Sequence, residues 1–288
     1  MAASEIRELS DPSRPHHTEA GPRPVRLHLH RPQRPGHAPL GLLSHGTGGS
    51  AEQMAWLAEP LAEAGFLVAA VDHHGNNYRD GATLRGFAFW ADRPRDLSFV
   101  LDHLLEREQV GPVGAAGFSL GGYTAAALAG VRLARRPIEA ALRGEYPLPS
   151  PPEYPTPAEE LLALPAEATD TWPQQLAAGH ADPRVRCAFL VAPALGEIVD
   201  TGAPARPGRP VAVRWSDADT VVPPGTVRRS LDALPGAEGR SVGADVDHYA
   251  FLCRADPDSP FHDAVRAGAP VRARVAAEVV EFFRRHLR

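Results

Sequence analysis

Lysine is missing altogether: the 30 basic residues of this 288-residue chain are all arginine. With abundant alanine and proline, that is the mark of a GC-rich bacterial genome and carries no mechanism. Cysteine is nearly absent too. Cys187 and Cys253 have no metal-ligand spacing, so two reduced, buried thiols are expected in place of a disulfide framework. No run approaches the ~18 apolar residues that span a bilayer. The first 21 residues are polar and broken by proline, without the apolar core of a signal peptide, which leads to the expectation of a cytoplasmic protein. The formal net charge of -5 is scattered, so the electrostatic footprint of a nucleic-acid binder is missing.

What is present is strand-helix alternation. A half-buried strand with one wet face is expected at 24–30, strand patterns fall at 40–43, 66–71, 113–116, 187–191 and 211–215, and a short edge strand at 6–9 is followed by a polar loop. Between them, helices are expected at 51–64, from Asp92 with Pro94 in the first turn, from 123, at 223–234 and at 271–287. That order predicts an α/β fold with a mostly parallel central sheet and helices on both faces. Residues 1–24 read as an N-terminal extension and 25–288 as the domain. Prolines at 147, 149, 151, 152, 155 and 157 mark residues 135–183 as an insertion on the sheet. Its Leu161, Leu162, Leu164 and Trp172 are expected to cover the pocket as a lid.

The chemistry centres on Gly117-Phe118-Ser119-Leu120-Gly121, a Gly-x-Ser-x-Gly sequence with a strand before it and a helix after it. Such a nucleophile elbow needs glycine two residues either side of the serine, because side chains there would strike the neighbouring strand or helix. The helix that follows points its N-terminal amides at the site, where negative charge is stabilised. A serine hydroxyl also needs a base, and the base an orienting acid. Asp219 follows the 211–215 strand and His248 precedes the closing helix, giving the chain order Ser119, Asp219, His248. Asp217 competes for the acid; Asp219 is preferred because the Thr-Val-Val-Pro turn after it fixes a carboxylate. Among thirteen histidines, those at 16, 17, 28, 30 and 37 are expected on the surface, and those at 180, 262 and 286 exposed. The neighbouring His73 and His74 lack a second ligand pair, so no metal is expected.

The oxyanion donors are expected to be the amides of Leu120 and of Thr47, the latter in Ser44-His45-Gly46-Thr47-Gly48-Gly49. A phosphate loop is disfavoured there because no Gly-Lys-Ser/Thr follows. Phe87, Phe89, Trp90, Phe118 and Tyr249 are the candidate pocket wall.

Ser44-His45-Gly46, Asp72-His73-His74-Gly75-Asn76, Arg93-Pro94-Arg95-Asp96, the elbow, Asp219-Thr220-Val221-Val222-Pro223 and Asp247-His248-Tyr249 occur in that order. Together they resemble the bacterial branch of the α/β-hydrolase superfamily near the dienelactone hydrolases and platelet-activating-factor acetylhydrolases, over roughly residues 25–288 without the insertion. The resemblance implies a cofactor-free hydrolase of carboxylic esters with Ser119 as nucleophile, His248 as base and Asp219 as orienting acid. Serine stands where dienelactone hydrolases proper carry cysteine. The expected partners are a small-molecule ester with a small or medium acyl chain and, at most, a second copy of the chain as a homodimer. Acyl transfer, thioester cleavage or cyclisation is the alternative within enzymes. A non-catalytic binding protein of the same fold is the alternative outside them.

Overall fold

The computed structural model describes residues 4–145, 154–203, 209–255 and 257–288. Eight strands form one sheet: β1 (Glu5–Pro15), β2 (Pro22–His30), β3 (Ala38–Ser44), β4 (Leu67–Asp72), β5 (Val110–Phe118), β6 (Val185–Val191), β7 (Val211–Trp215) and β8 (Glu238–Ser241). Their spatial order is β1-β2-β4-β3-β5-β6-β7-β8. The β1–β2 and β2–β4 pairs are antiparallel, and every later pair is parallel.

Strand alternation sorts the apolar side chains into two cores. Leu40, Leu42, Val113, Ala115 and Leu190 face the layer that holds α2 (Asp92–Arg107) and α3 (Leu120–Ala129). Leu43, Val68, Ala116, Phe189 and Val191 face the other layer, formed by α1 (Ala55–Glu63) and the closing helix, Ala269–His286. The closing helix packs tightly because β3 and β5 each carry a glycine opposite Phe283. A Cβ on Gly41 or Gly114 would lie 3.3 or 3.0 Å from the Phe283 ring.

Register sets up the site. Ser44 pairs with Val71 on one side and Gly117 on the other, so the loops leaving β3, β4 and β5 emerge abreast at the carboxyl edge. In open parallel sheets that edge is where ligands bind.

The structure corrects several expectations. The N-terminal strand runs to Pro15, through the stretch expected as a polar loop, and a boundary at residue 24 would cut β2 in two. Residues 4–24 are therefore no appendage: Arg14 and Arg23 bury their guanidinium groups against Asp96. His28 and His30 are buried, His28 with its Nε2 3.3 Å from Asp72 Oδ2 of β4. His180, His262 and His286 are half-buried. The 51–64 helix divides into a 3₁₀ turn, Ala51–Met54, and α1. Asp92 lies inside α2, with Ala91 at the cap. Strand β8 has no apolar residue to announce it, being an edge strand that is mostly exposed. Of the insertion, helices Arg135–Leu142, Pro157–Leu162, Ala166–Thr169 and Trp172–Ala177 are described. The prolines at 147, 149, 151 and 152 lie outside the described residues.

Candidate active site

Ser119 occupies the tip of the turn between β5 and α3 with φ 55° and ψ -120°, a left-handed conformation that a non-glycine residue holds only under constraint. The constraint is visible. A Cβ on Gly117 would stand 2.1 Å from the Gly121 carbonyl oxygen, and a Cβ on Gly121 would stand 2.0 Å from that of Ser44. The turn can form only with glycine at both places. The Ser119 amide donates to Val191 O (2.9 Å), and the Ser119 carbonyl accepts from the Ala194 amide (3.1 Å).

His248 opens a short 3₁₀ turn, His248–Phe251, capped by the Asp247 carboxylate on the Tyr249 amide (2.8 Å). Phe118 packs against its ring at a centroid distance of 4.8 Å. His248 Nε2 is 3.2 Å from Ser119 Oγ, and Nδ1 is 2.6 Å from Asp219 Oδ2. The other carboxylate oxygen, Oδ1, accepts from the amides of Val221 (2.9 Å) and Val222 (2.7 Å). Asp219 is thus locked by the turn that follows it. Asp217 lies on the surface, bonded to Trp215 and Ser241. If Nδ1 of His248 carries the proton, as the adjacent carboxylate favours, Nε2 is the acceptor for the serine hydroxyl.

The loop after β3 is held from below by the end of β4 and the residues that follow it. Asp72 accepts from the Ala51 amide (2.6 Å), and Asn76 Oδ1 accepts from the Gly48 amide (2.8 Å). The His73 amide donates to His45 Nε2 (3.2 Å), so His45 Nδ1 carries the hydrogen and donates to Gly46 O (2.6 Å). Burial, with Arg93 and His73 nearby, holds the His45 ring well below its ordinary pKa and keeps that tautomer neutral. Thr47 lines the cavity above Ser119, and Leu120 begins α3.

Below the loop lies a buried charge cluster. Asp96 takes the Arg23 fork through Nε (2.8 Å) and Nη2 (2.9 Å), and Arg14 Nη1 lies 2.7 Å away. Burial alone would raise its pKa, but these two cations hold it well below the carboxylate range. Asp92, beside Arg23 and His17, is lowered to about 2 in spite of its burial. His73 bridges from Asp96 Oδ2 (2.9 Å) to Ser44 Oγ (2.8 Å), and burial pushes its pKa down to about 3.

A cavity of about 920 Å3 opens over Ser119 and His248. Phe118 and Tyr249 line it, but Phe87, Phe89 and Trp90 do not. Phe89 and Trp90 are buried in the core on the α2 side, Phe89 with its ring 5.2 Å from that of Trp172, and Phe87 is buried with its ring 4.7 Å from that of Tyr154. The insertion accounts for this. Leu161 and Trp172 belong to the same core, and neither they nor Leu162 nor Leu164 lines the cavity. The wall is built largely by the segment after His248, including Leu252, Cys253, Phe261 and Val265, which sequence reasoning passed over. Phe261 stacks on Tyr249 at 3.8 Å, and the one signal for it was an aromatic residue soon after the histidine.

Residues 39–144 match the family model described as serine aminopeptidase, S33. That stretch holds the β3 loop and the elbow but ends before Asp219 and His248. A search of the curated proteins finds no match. Among solved structures, the ferulic acid esterase from Streptomyces cinnamoneus superposes with a TM-score of 0.62 at 20% identity, covering 99% of this chain and 89% of that one. The fold is that of the α/β-hydrolases. A cold-adapted esterase from an Arctic intertidal metagenomic library matches this hydrolase fold with a TM-score of 0.55 at 15% identity, covering 99% of this chain and 94% of that one. Esterase 2 of Thermogutta terrifontis does so with a TM-score of 0.54 at 14% identity, covering 95% and 92%. No described helix of the hydrolase fold is long and apolar enough to cross a membrane.

Proposed function

We propose that the protein hydrolyses carboxylic esters of small or medium acyl chain through an acyl-serine intermediate. The observation that carries this is the continuous hydrogen-bonded chain Ser119–His248–Asp219 at the floor of an open cavity. His248 takes the proton as Ser119 Oγ attacks the ester carbonyl, and Asp219 orients and stabilises the resulting imidazolium. The amides of Leu120 and Thr47 are the donors assigned to the developing oxyanion. His248 returns the proton to the departing alkoxide, then activates water to release the acid. The motifs shared with dienelactone hydrolases and platelet-activating-factor acetylhydrolases favour that branch of the superfamily.

The name of the matching family model raises aminopeptidase action as a second reading. A substrate with a free α-ammonium group would need an available carboxylate. Glu52 is the carboxylate among the described residues lining the cavity, and it already bonds Tyr78 Oη (2.8 Å) and Arg79. That favours the ester.

The test is turnover of p-nitrophenyl acetate, butyrate and octanoate beside an aminoacyl p-nitroanilide, with Ser119→Ala as control. Ester turnover by the native protein that is lost in Ser119→Ala supports the proposal. Cleavage of the anilide alone, or equal rates in the variant, contradicts it.

A further inference from the structure

Arg93 is 1% exposed, a guanidinium inside the protein on the first turn of α2. Burying such a cation costs several kcal/mol unless it is well paired. Yet no carboxylate bonds it directly among the described residues; its partners are a carbonyl and two hydroxyls. Nη2 donates to the His45 carbonyl and, at 3.4 Å, to Ser44 Oγ, while Nε donates to Thr124 Oγ1 at 3.3 Å. Thr124 Oγ1 in turn donates to the Leu120 carbonyl (3.0 Å).

These contacts join two segments far apart in the chain. His45 leads into Gly46 and Thr47 on the loop after β3, and Leu120 is the first residue of α3. Each segment furnishes one of the amides assigned above to the oxyanion. A single rigid, planar fork therefore spans both halves of that site from underneath, which a flexible ammonium on a straight stem would do poorly.

The hydroxyl that receives Nη2 is oriented from behind. Since His73 is neutral, Nδ1–H donates to Asp96 and Nε2 accepts from Ser44 Oγ–H. The Ser44 lone pairs are then left facing Arg93. Every proton in the series Asp96–His73–Ser44–Arg93 has one direction, and Asp96 supplies the negative charge that favours the cation through space.

We propose that Arg93 is a positioning residue that holds the two halves of the oxyanion site in register, with Asp96, His73 and Ser44 as the relay that orients its hydroxyl partner. This rests on the serine-hydrolase reading. An oxyanion donor displaced by a fraction of an ångström weakens the transition state more than the bound ester, so the effect belongs in kcat.

The experiment compares Arg93→Met, Arg93→Lys and Thr124→Val with the native enzyme, using p-nitrophenyl acetate and a trifluoromethyl ketone that mimics the tetrahedral adduct. Loss of an oxyanion donor costs about 10²-fold or more in kcat, and Arg93→Met is expected to fall at the lower end of that range with KM changed less than about threefold. Ketone binding should weaken in proportion to kcat/KM, Arg93→Lys should recover part of the loss, and Thr124→Val should show a smaller loss of the same kind. Where Arg93→Met does not fold, Thr124→Val alone decides. A folded Arg93→Met, or failing that Thr124→Val, with kcat within about twofold of native, or with the change confined to KM, overturns the inference. Absence of ester turnover and of ketone binding in the native protein is the separate failure of the hydrolase reading and removes the inference with it.

Discussion

Asp219 and His248 meet at 2.6 Å, and the carboxylate oxygen turned away from the imidazole is occupied by two backbone amides. Neither oxygen is free to rotate toward another partner, so the imidazole has one orientation and one tautomer. Replacing this carboxylate by an amide favours the wrong tautomer. Asp219→Asn should lower kcat by about 10⁴-fold, as amide replacement does in other serine triads. Asp217→Asn, on the surface, should stay within about twofold. Steady-state turnover of a p-nitrophenyl ester checks both, and the opposite ranking would move the acid to Asp217.

The elbow glycines make a prediction about folding. Gly121→Ala places a methyl 2.0 Å from the Ser44 carbonyl oxygen, a clash with backbone that no rotamer relieves. The loss should be several kcal/mol, among the larger single-residue effects. Gly225→Ala meets nothing within 4 Å and lies in the helix Pro224–Asp232, where alanine is favoured by roughly 1 kcal/mol. Urea unfolding midpoints of the two variants should shift in opposite directions.

Stability should fall in acid in two stages. His73 takes up its proton at about 3 in the folded protein, against an ordinary value near 6.5. Between those values the unfolded chain binds a proton that the folded one refuses, so stability falls as the pH drops below about 6.5, with His73 alone contributing at most about 1.4 kcal/mol per pH unit. Asp92, lowered to about 2, and the lowered Asp96 stabilise the fold above about pH 4. That contribution is lost as the pH falls toward and through their folded values. Urea midpoints at pH 5 and pH 7 should differ for the native protein and differ less for His73→Asn.

Trp172 separates a lid from a core. It is buried against Phe89 on the α2 side of the sheet and lies outside the lining of the cavity. Trp172→Ala should lower stability by about 3–5 kcal/mol and leave the ranking of ester chain lengths as it was. Phe261→Ala, which opens the stacked pair on the cavity wall, should change that ranking with a smaller effect on stability. Unfolding curves and the ester series together distinguish the two.

Much of this was legible from residue order, for physical reasons. The ends of the strand 211–215 are legible because its apolar residues, broken only by Arg214, are bounded by Pro210 and Ser216. The elbow was read because its steric demands leave few residues to choose from. Other features depended on partners remote in sequence. His28 and His30 alternate with apolar residues as wet-face side chains would, yet both are buried, His28 beside Asp72, a residue remote in sequence. Aromatic residues at 87, 89 and 90 look alike whether they face a pocket or a core, and packing from the insertion settled their place. Arg93 belongs to a motif of the resemblance, but its contacts with the β3 loop and α3 appear only when those elements close around it.

The most direct measurement is intact and peptide mass spectrometry after treatment with a fluorophosphonate. A serine activated by His248 and Asp219 should gain one phosphonyl group, recovered on the peptide that contains Ser119, with none on Ser119→Ala and much slower labelling of His248→Gln. Equal labelling of Ser119→Ala, or modification of a different residue, would contradict the assignment of Ser119 as the nucleophile.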